Sequence, residues 1–180
     1  MNNFVSRGGE KLQFALDSFK ISVKDLVCAD FGASTGGFTD CLLQNGAAKV
    51  YSVEVGYGTI DWKLRNDPRV VVMERTNAMH VILPEKIDLV VIDAGWTKQK
   101  LILPNAFANL KTNGRMISLI KPHYEAGKPR LNDVEIETVL GMVKEDIKSV
   151  GGEVLDLAES PILGTKGGNR EFLALVACTN

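Results

Sequence analysis

A glycine-rich turn over residues 29–40, ADFGASTGGFTD, joins an apolar segment to the start of a predicted helix. Turns of this kind usually bind a nucleotide, but this one differs from both the dinucleotide fingerprint G-x-G-x-x-G and the phosphate loop G-x-x-x-x-G-K-[ST]. Asp30 ends the apolar segment, where its carboxylate would repel a pyrophosphate. A ligand that carries a cationic amine would be favoured at the same place.

S-adenosylmethionine has the groups that such a turn could bind. Its ammonium is attracted to acidic residues, its carboxylate to N–H groups at a helix start, and its ribose diol to an acceptor on the next strand. Glu54 ends that next strand, close to the spacing of about 20 residues expected of a ribose-binding acid. The alternative is a plain strand-to-helix turn with a solvated Glu54. The glycines alone do not distinguish a cofactor site from a plain turn. Asp30 and Glu54 together favour the cofactor site.

Hydrophobic periodicity alternates between helical stripes and short β-rich runs, which predicts an α/β fold. An opening amphipathic helix has apolar residues at i, i+3, i+4 and i+7 with Lys11 at its N-terminal edge; they are Leu12, Ala15, Leu16 and Phe19. Further helices are expected at 37–45 and near 59–65, 98–111 and 133–149. Seven strands are expected at LVCADF, AKVYSVEVG, RVVVMER, DLVVID, RMISLIK, GEVLDLAES and REFLALVAC. The last two leave no room for a helix between them and predict an antiparallel edge pair on an otherwise parallel, doubly wound sheet.

Composition predicts one domain over residues 1–180 and excludes several classes of protein. A formal net charge of -1 means that any nucleic-acid site must be a local basic patch. Three widely spaced cysteines argue against a zinc knuckle or a disulfide framework and indicate buried free thiols. The two histidines lack partners at metal-ligand spacing, so no metal is expected. Without an apolar signal core or a membrane-length apolar run, a soluble cytoplasmic protein is expected.

Seven segments, from Ser6 to near the C-terminus, carry a resemblance to a known family. They are SRGGEKL, DFGASTGGFTDCLL, VEVGYG, VVVMERTNA, DLVVID, LIKPHYEAG and GNREFL. Together they resemble the TlyA or haemolysin-A-like branch of the FtsJ-type RNA ribose 2′-O-methyltransferases. The resemblance implies a Rossmann-like class I methyltransferase fold with helices on both faces of the sheet, S-adenosylmethionine as cofactor, and ribosomal RNA as substrate.

The resemblance also implies a catalytic Lys-Asp-Lys-Glu tetrad. Carried over motif by motif, its members are Lys11, Asp93, Lys121 and Glu171. Lys121 is interpreted as a general base with a lowered pKa and Lys11 as a neighbouring cation, while the carboxylates hold both ammonium groups in place. Nearby carboxylates also stabilise a charged lysine, and the sequence leaves open which effect is larger.

Two sets of binding residues follow from these motifs. The predicted cofactor contacts are Asp30, Gly32, Ala33, Ser34, Gly36, Gly37, Phe38, Glu54, Asn77, Ala78 and Asp93. The predicted substrate contacts are Ser6, Arg7, Trp96, Lys98, Lys100, His123 and Arg170, with Lys128 and Arg130 as further cations near the motifs. Trp96 offers a face on which a base could stack.

Two departures from the family and two other functions complete the expectations. Family members commonly have an N-terminal S4-type RNA-binding domain, whereas this sequence begins almost at the methyltransferase, so RNA docking is expected to use the catalytic domain or a separate RNA-binding partner. After Asp93 the family usually has a serine- and phenylalanine-containing segment, where this chain reads AGWTKQK. The alternatives are a small-molecule methyltransferase and a haemolysin-like binding protein without catalysis; no apolar span or basic amphipathic helix favours membrane attack.

Overall fold

The computed structural model describes residues 4–165 and 167–179, which fold around one seven-stranded sheet. The strands are β1 Val27–Phe31, β2 Lys49–Val53, β3 Val70–Met73, β4 Ile87–Ile92, β5 Leu110–Ile120, β6 Gly152–Glu159 and β7 Phe172–Cys178. The helices are α1 Gly8–Phe19, α2 Gly37–Gln44, α3 Trp62–Arg65, α4 Gln99–Asn109, α5 Pro122–Ala126 and α6 Asp133–Ser149. The strands and helices expected from the sequence are confirmed, and α5 is additional.

The strands lie in the order β3-β2-β1-β4-β5-β7-β6. Strands β1 to β5 pair in parallel, and β7 is antiparallel to both β5 and β6. The sheet is therefore mostly parallel with its antiparallel pairs at one edge, as predicted. The strand order reverses between β1 and β4, and doubly wound sheets bind ligands at the carboxyl ends of their strands beside such a reversal.

Helices cover both faces of the sheet and bury two apolar clusters. One cluster contains residues of α1, α2 and α3, including all four apolar residues of the predicted α1 stripe. The other contains residues of α4 and α6. Because parallel strands are buried on both faces, β1 and β4 are almost wholly apolar, and each fully buried side chain contributes about 1.5–3 kcal/mol to stability. The polar exception inside β1 is Asp30, which is fully buried.

The helix that the sequence did not predict, α5, lies directly after β5. Pro122 occupies its first turn and Gly127, at φ 65°, ends it in the left-handed region. Five residues are too few to produce a helical stripe, so only the proline and glycine mark its ends. This helix places the side chains that follow Lys121 beside the carboxyl ends of the strands.

Two further sequence expectations concern thiols and membranes. Cys28 and Cys41 are buried free thiols, and burial raises the pKa of each to about 12. Throughout the described part of the chain, no three metal-binding side chains are grouped to hold an ion. None of the described helices has the length and apolar character to span a membrane.

Candidate functional site

A cavity of about 630 Å³ opens where the parallel strands end. Asp30 lies in β1, while Glu54, Asp93 and Lys121 directly follow β2, β4 and β5, and all four line it. Because β7 runs in the opposite direction, its first residues come to the same edge of the sheet. The pairing of Ile120 with Phe172 therefore brings Glu171 next to Lys121.

The glycine turn, except Gly36, lines the cavity, and its backbone approaches other chain segments closely. Gly32 has φ +87°, and a Cβ there would lie 2.7 Å from the backbone oxygen of Asp93. Gly36, at φ +99°, precedes α2, and a Cβ there would overlap Leu64. Both positions favour glycine for the left-handed backbone, and at Gly32 the backbone of Asp93 also leaves no room for a Cβ. Ala33, Ser34, Gly37 and Phe38 line the same cavity.

Asp30 has one satisfied carboxylate oxygen and one that is not. Its Oδ2 accepts hydrogen bonds from Thr39 N at 2.9 Å and from Thr39 Oγ1 at 2.7 Å. Its Oδ1 is buried with no hydrogen-bond partner among the described residues. Burial, aided by the negative charges of Asp93 and Glu54, raises the pKa of Asp30 to about 7 against the opposing Thr39 bonds. This site would gain from a cationic group, as the sequence indicated.

Glu54 and the loop after β3 line the neighbouring part of the cavity. One Glu54 oxygen accepts from Ser34 N and the other from Gly56 N, both at 2.7 Å, so the carboxylate ties the glycine turn to the end of β2. Asn77 and Ala78 also line the cavity. The Asn77 side chain accepts from Met79 N at 2.9 Å. Its amide thus shapes the loop in which it lies.

The four residues predicted to form a tetrad make two ion pairs. Lys11 Nζ lies 2.5 Å from Glu171 Oε2, and both side chains are buried. Lys121 Nζ lies 2.5 Å from Asp93 Oδ1, and this pair is only partly buried. Lys11, Asp93 and Lys121 line the cavity. The fold therefore assembles four residues that are spread over most of the chain.

The charge state of Lys121 follows from its neighbours. Burial lowers the pKa of this lysine, but the charge and hydrogen bond of Asp93, together with Glu171 and Tyr124, raise it above the ordinary 10.5. The sequence left open whether burial or the nearby carboxylates have the larger effect on this pKa, and in the structure the carboxylates have the larger effect. Lys121 is therefore an ammonium group at neutral pH, which is contrary to the lowered pKa expected of a general base.

An aromatic stack stands beside Lys121. Trp96 and Tyr124 lie 4.5 Å apart between ring centroids, and Lys121 Nζ is 5.8 Å from the Tyr124 centroid. Trp96 is 78% exposed, and its own backbone is in the left-handed region at φ 64°. Sequence reasoning named Trp96 but missed Tyr124, although its aromatic ring follows Lys121 by three positions in the segment LIKPHYEAG.

The predicted substrate contacts fall into three groups. Ser6 and Arg7 line the cavity, together with Thr97 and Thr165, which the sequence did not single out. Lys98 is exposed, while Lys100 lies 3.4 Å from Asp146. His123 and Arg170 lie instead in a second, smaller cavity. The structure thus separates these last two from the residues around the glycine turn.

Comparison with known proteins identifies the family. The FtsJ-like methyltransferase model matches residues 4–149. The chain belongs to the FtsJ-like methyltransferase family. It is 39% identical to the 16S/23S rRNA (cytidine-2'-O)-methyltransferase TlyA of Mycobacterium tuberculosis over 96% of this chain and 68% of that protein. It is 40% identical to Hemolysin A of Brachyspira hyodysenteriae over 95% and 75% of the two chains. A solved structure named as a hemolysin, from Streptococcus thermophilus, is 40% identical with a TM-score of 0.94, covering 100% of this chain and 69% of that one.

S-adenosylmethionine is the methyl donor of FtsJ-like methyltransferases, and the side chains of the cavity fit it. The unpartnered Asp30 Oδ1 suits an ammonium group. Each Glu54 oxygen accepts one backbone N–H and keeps a lone pair for a diol. Gly32 and Gly37 of the turn line the same cavity. The donor would supply an electrophilic methyl group. Lys121 and its neighbours are then available to bind the methyl acceptor.

Proposed function

We propose that this chain transfers a methyl group from S-adenosylmethionine to a ribose 2′-hydroxyl of RNA, with ribosomal RNA as the substrate. The observation that carries the proposal is the pair of ion pairs, Lys11–Glu171 and Lys121–Asp93, next to the glycine turn. TlyA, at 39% identity, is named as acting on 16S and 23S rRNA at a cytidine 2′-oxygen. The fold, the cavity and this relative point to the same chemistry.

The four charged residues have different roles in the proposed reaction. Methyl transfer from a sulfonium is an in-line displacement, so the acceptor oxygen must be held on the line of attack. Because Asp93 keeps Lys121 charged, Lys121 donates a hydrogen bond to that oxygen and stabilises the negative charge that develops there. The hydroxyl proton passes to Asp93, whose carboxylate is within hydrogen-bond distance of Lys121 Nζ.

The buried ion pair positions the partly buried one. Lys11 and Glu171 satisfy each other at 2.5 Å, and the negative charge of Glu171 adds to the positive shift in the pKa of Lys121. Removal of either partner would leave an uncompensated charge in a buried site, which is strongly unfavourable. Lys11 and Glu171 are therefore positioning residues that hold the orientation and the charge of Lys121.

RNA contacts are proposed for the rim of the cavity. Trp96, stacked on Tyr124, is exposed enough to receive an unpaired base, and Arg7 and Lys98 are cations placed to meet phosphates. With a formal net charge of -1 the chain lacks a general positive field. We therefore propose that a separate RNA-binding partner adds affinity, and that residues 1–180 act as a single catalytic domain in the cytoplasm.

Transfer of tritiated methyl groups to ribosomal subunits and to naked ribosomal RNA tests the proposal. The modified nucleotide is mapped, and three lysine variants are compared in single-turnover reactions across pH. Lys121→Met should abolish turnover while cofactor affinity stays near that of the parent. Lys121→Arg should retain measurable turnover because guanidinium keeps the positive charge. Lys144→Met, at an exposed position on α6, is the matched control and should behave as the parent.

Each outcome of this experiment has a distinct meaning. No methyl transfer to any ribosomal RNA would refute the RNA substrate, and transfer to a base would refute the 2′-hydroxyl. A completely inactive Lys121→Arg, together with a parent rate that climbs as a lysine loses its proton, would restore Lys121 as the general base. Unchanged turnover in Lys121→Met would remove this residue from the reaction.

A further inference from the structure

The fold forms a second cavity, of about 270 Å³, beside the tetrad. It is enclosed by the start of α5, the connection to α6, the first turn of α6 and the glycine loop before β7. Pro122, Leu131 and Ile136 supply apolar walls, and its polar groups include His123 and Arg170. The reaction proposed above uses none of these side chains.

His123 lines this cavity and has one ring nitrogen without a hydrogen-bond partner among the described residues. The residue is 8% exposed, and that nitrogen, Nδ1, is buried. Its ring packs against Tyr124 at a centroid distance of 4.1 Å. Burial, with Lys121 nearby, lowers the pKa of His123 against the opposing charge of Glu171, so the imidazole is neutral at pH 7. A neutral imidazole donates or accepts at Nδ1 depending on its partner.

One cation of this cavity, Arg170, is held by two carboxylates, and a second cation, Arg130, lies on the rim. Arg170 donates to Glu159 through two nitrogens, each at 2.7 Å, and to Asp133 at 2.8 Å. Arg130 is exposed and has no ion pair with any residue that the structure describes. Apolar walls, one unmet hydrogen bond and a single available guanidinium suit a planar heterocycle attached to one phosphate. They do not suit a multiply charged anion.

The chain connects the two cavities closely. His123 follows Lys121 by two positions, and Arg170 directly precedes Glu171. Thr165 lines the first cavity, whereas Gly167 and Gly168 of the same loop line the second. A nucleic-acid strand with its reacting ribose at Lys121 would therefore pass the second cavity with an adjacent nucleotide.

We propose that the second cavity binds the base of a nucleotide flanking the methylated one. The His123 imidazole meets a polar atom on the edge of that base, and Arg130 meets the phosphate beside it. RNA-binding proteins commonly recognise unstacked bases through hydrogen bonds to their edges. This inference rests on the proposed RNA substrate and adds a determinant of sequence specificity to it.

The test measures base preference at the two flanking positions. Ribosomal RNA transcripts carry each of the four bases just before or just after the mapped nucleotide, and kcat and KM are determined with saturating S-adenosylmethionine. With the parent, the preferred base at one flank should lower KM about tenfold, the effect of one hydrogen bond to a base edge. With His123→Ala this preference should fall to near unity, and His123→Asn should restore part of it because its amide can also donate and accept hydrogen bonds.

Further variants distinguish recognition of the base from binding of the phosphate, and a binding measurement checks that each variant is folded. Arg130→Ala should raise KM equally for all four bases, while Lys144→Ala, on an exposed position of α6, should match the parent. Calorimetry with S-adenosylmethionine verifies that each variant retains a folded first cavity. A parent without preference at either flank, or a folded His123 variant that keeps the full preference, would overturn the subsite. Failure of the parent to methylate RNA at all would instead refute the proposed function, and the subsite with it.

Discussion

Replacing Asp30 by asparagine should stabilise the protein at pH 8 while weakening S-adenosylmethionine binding. Asp30 is fully buried, and its Oδ1 has no hydrogen-bond partner among the described residues. An ionised carboxylate in this position costs free energy of folding that a neutral amide does not. The asparagine oxygen can still accept the two bonds from Thr39. The variant loses the negative charge that attracts the cofactor's ammonium.

The magnitude follows from the pKa of Asp30, which burial raises from 3.8 to about 7. Between these two pH values the folded chain binds more protons at this group than the unfolded chain, so the unfolding free energy falls as pH rises through the window. At about 1.4 kcal/mol per pH unit, the loss of unfolding free energy is about 4 kcal/mol at pH 8. An asparagine amide without a partner costs about 1–3 kcal/mol. The unfolding free energy of the variant should therefore exceed that of the parent by about 1–3 kcal/mol at pH 8, and this difference should be lost at pH 4.

Urea unfolding from pH 4 to pH 8 measures this difference for the parent and for Asp30→Asn. Asp17→Asn, at an exposed position of α1, is the control for a general loss of one carboxylate. Calorimetry at pH 8 should show weaker cofactor binding in Asp30→Asn only. The reasoning would be refuted if the stability difference between parent and variant were the same at pH 4 and pH 8.

Three other changes give separate tests of the site. Gly32→Ala places a Cβ 2.7 Å from the backbone oxygen of Asp93 on a left-handed residue, so it should cost more than about 1–2 kcal/mol of stability in urea unfolding; a neutral effect would contradict the close approach. Glu54→Ala should weaken S-adenosylmethionine by about 1.5–3 kcal/mol in calorimetry, and unchanged affinity would remove Glu54 from the site. Lys98→Glu with Lys100→Glu should weaken RNA binding in filter assays and reduce its salt dependence while leaving cofactor affinity intact. RNA binding like that of the parent would show that this loop does not touch the nucleic acid.

Much of the fold could be read from the sequence because local patterns encode local structure. Continuous apolar runs mark strands that are buried on both faces, and the i, i+3, i+4 stripe marks the buried side of α1. The segment between the last two strands is too short for a crossover helix, which correctly indicated that these strands pair antiparallel. The short α5 escaped because five residues cannot display a helical period.

The candidate site was predictable to the extent that strand ends share one edge of a sheet. Asp30, Glu54, Asp93 and Lys121 each end or follow a predicted parallel strand, and the structure brings them into one cavity. The partners within that cavity were not predictable. Lys11 and Glu171 are 160 residues apart, and their contact depends on how α1 packs across the sheet toward the reversed strand β7.

Charge and hydrogen bonding at the site were decided by tertiary structure alone. The sequence predicts both burial of Lys121, which lowers its pKa, and nearby carboxylates, which raise it. Only the 2.5 Å contact with Asp93 determines that the lysine stays charged. Likewise, Arg170 reads as a free cation in the sequence but is held by Glu159 and Asp133. Sequence determines which residue types reach the carboxyl ends of the strands. Distances between side chains from remote segments determine their protonation and their partners, because electrostatic and hydrogen-bond energies depend steeply on separation and burial.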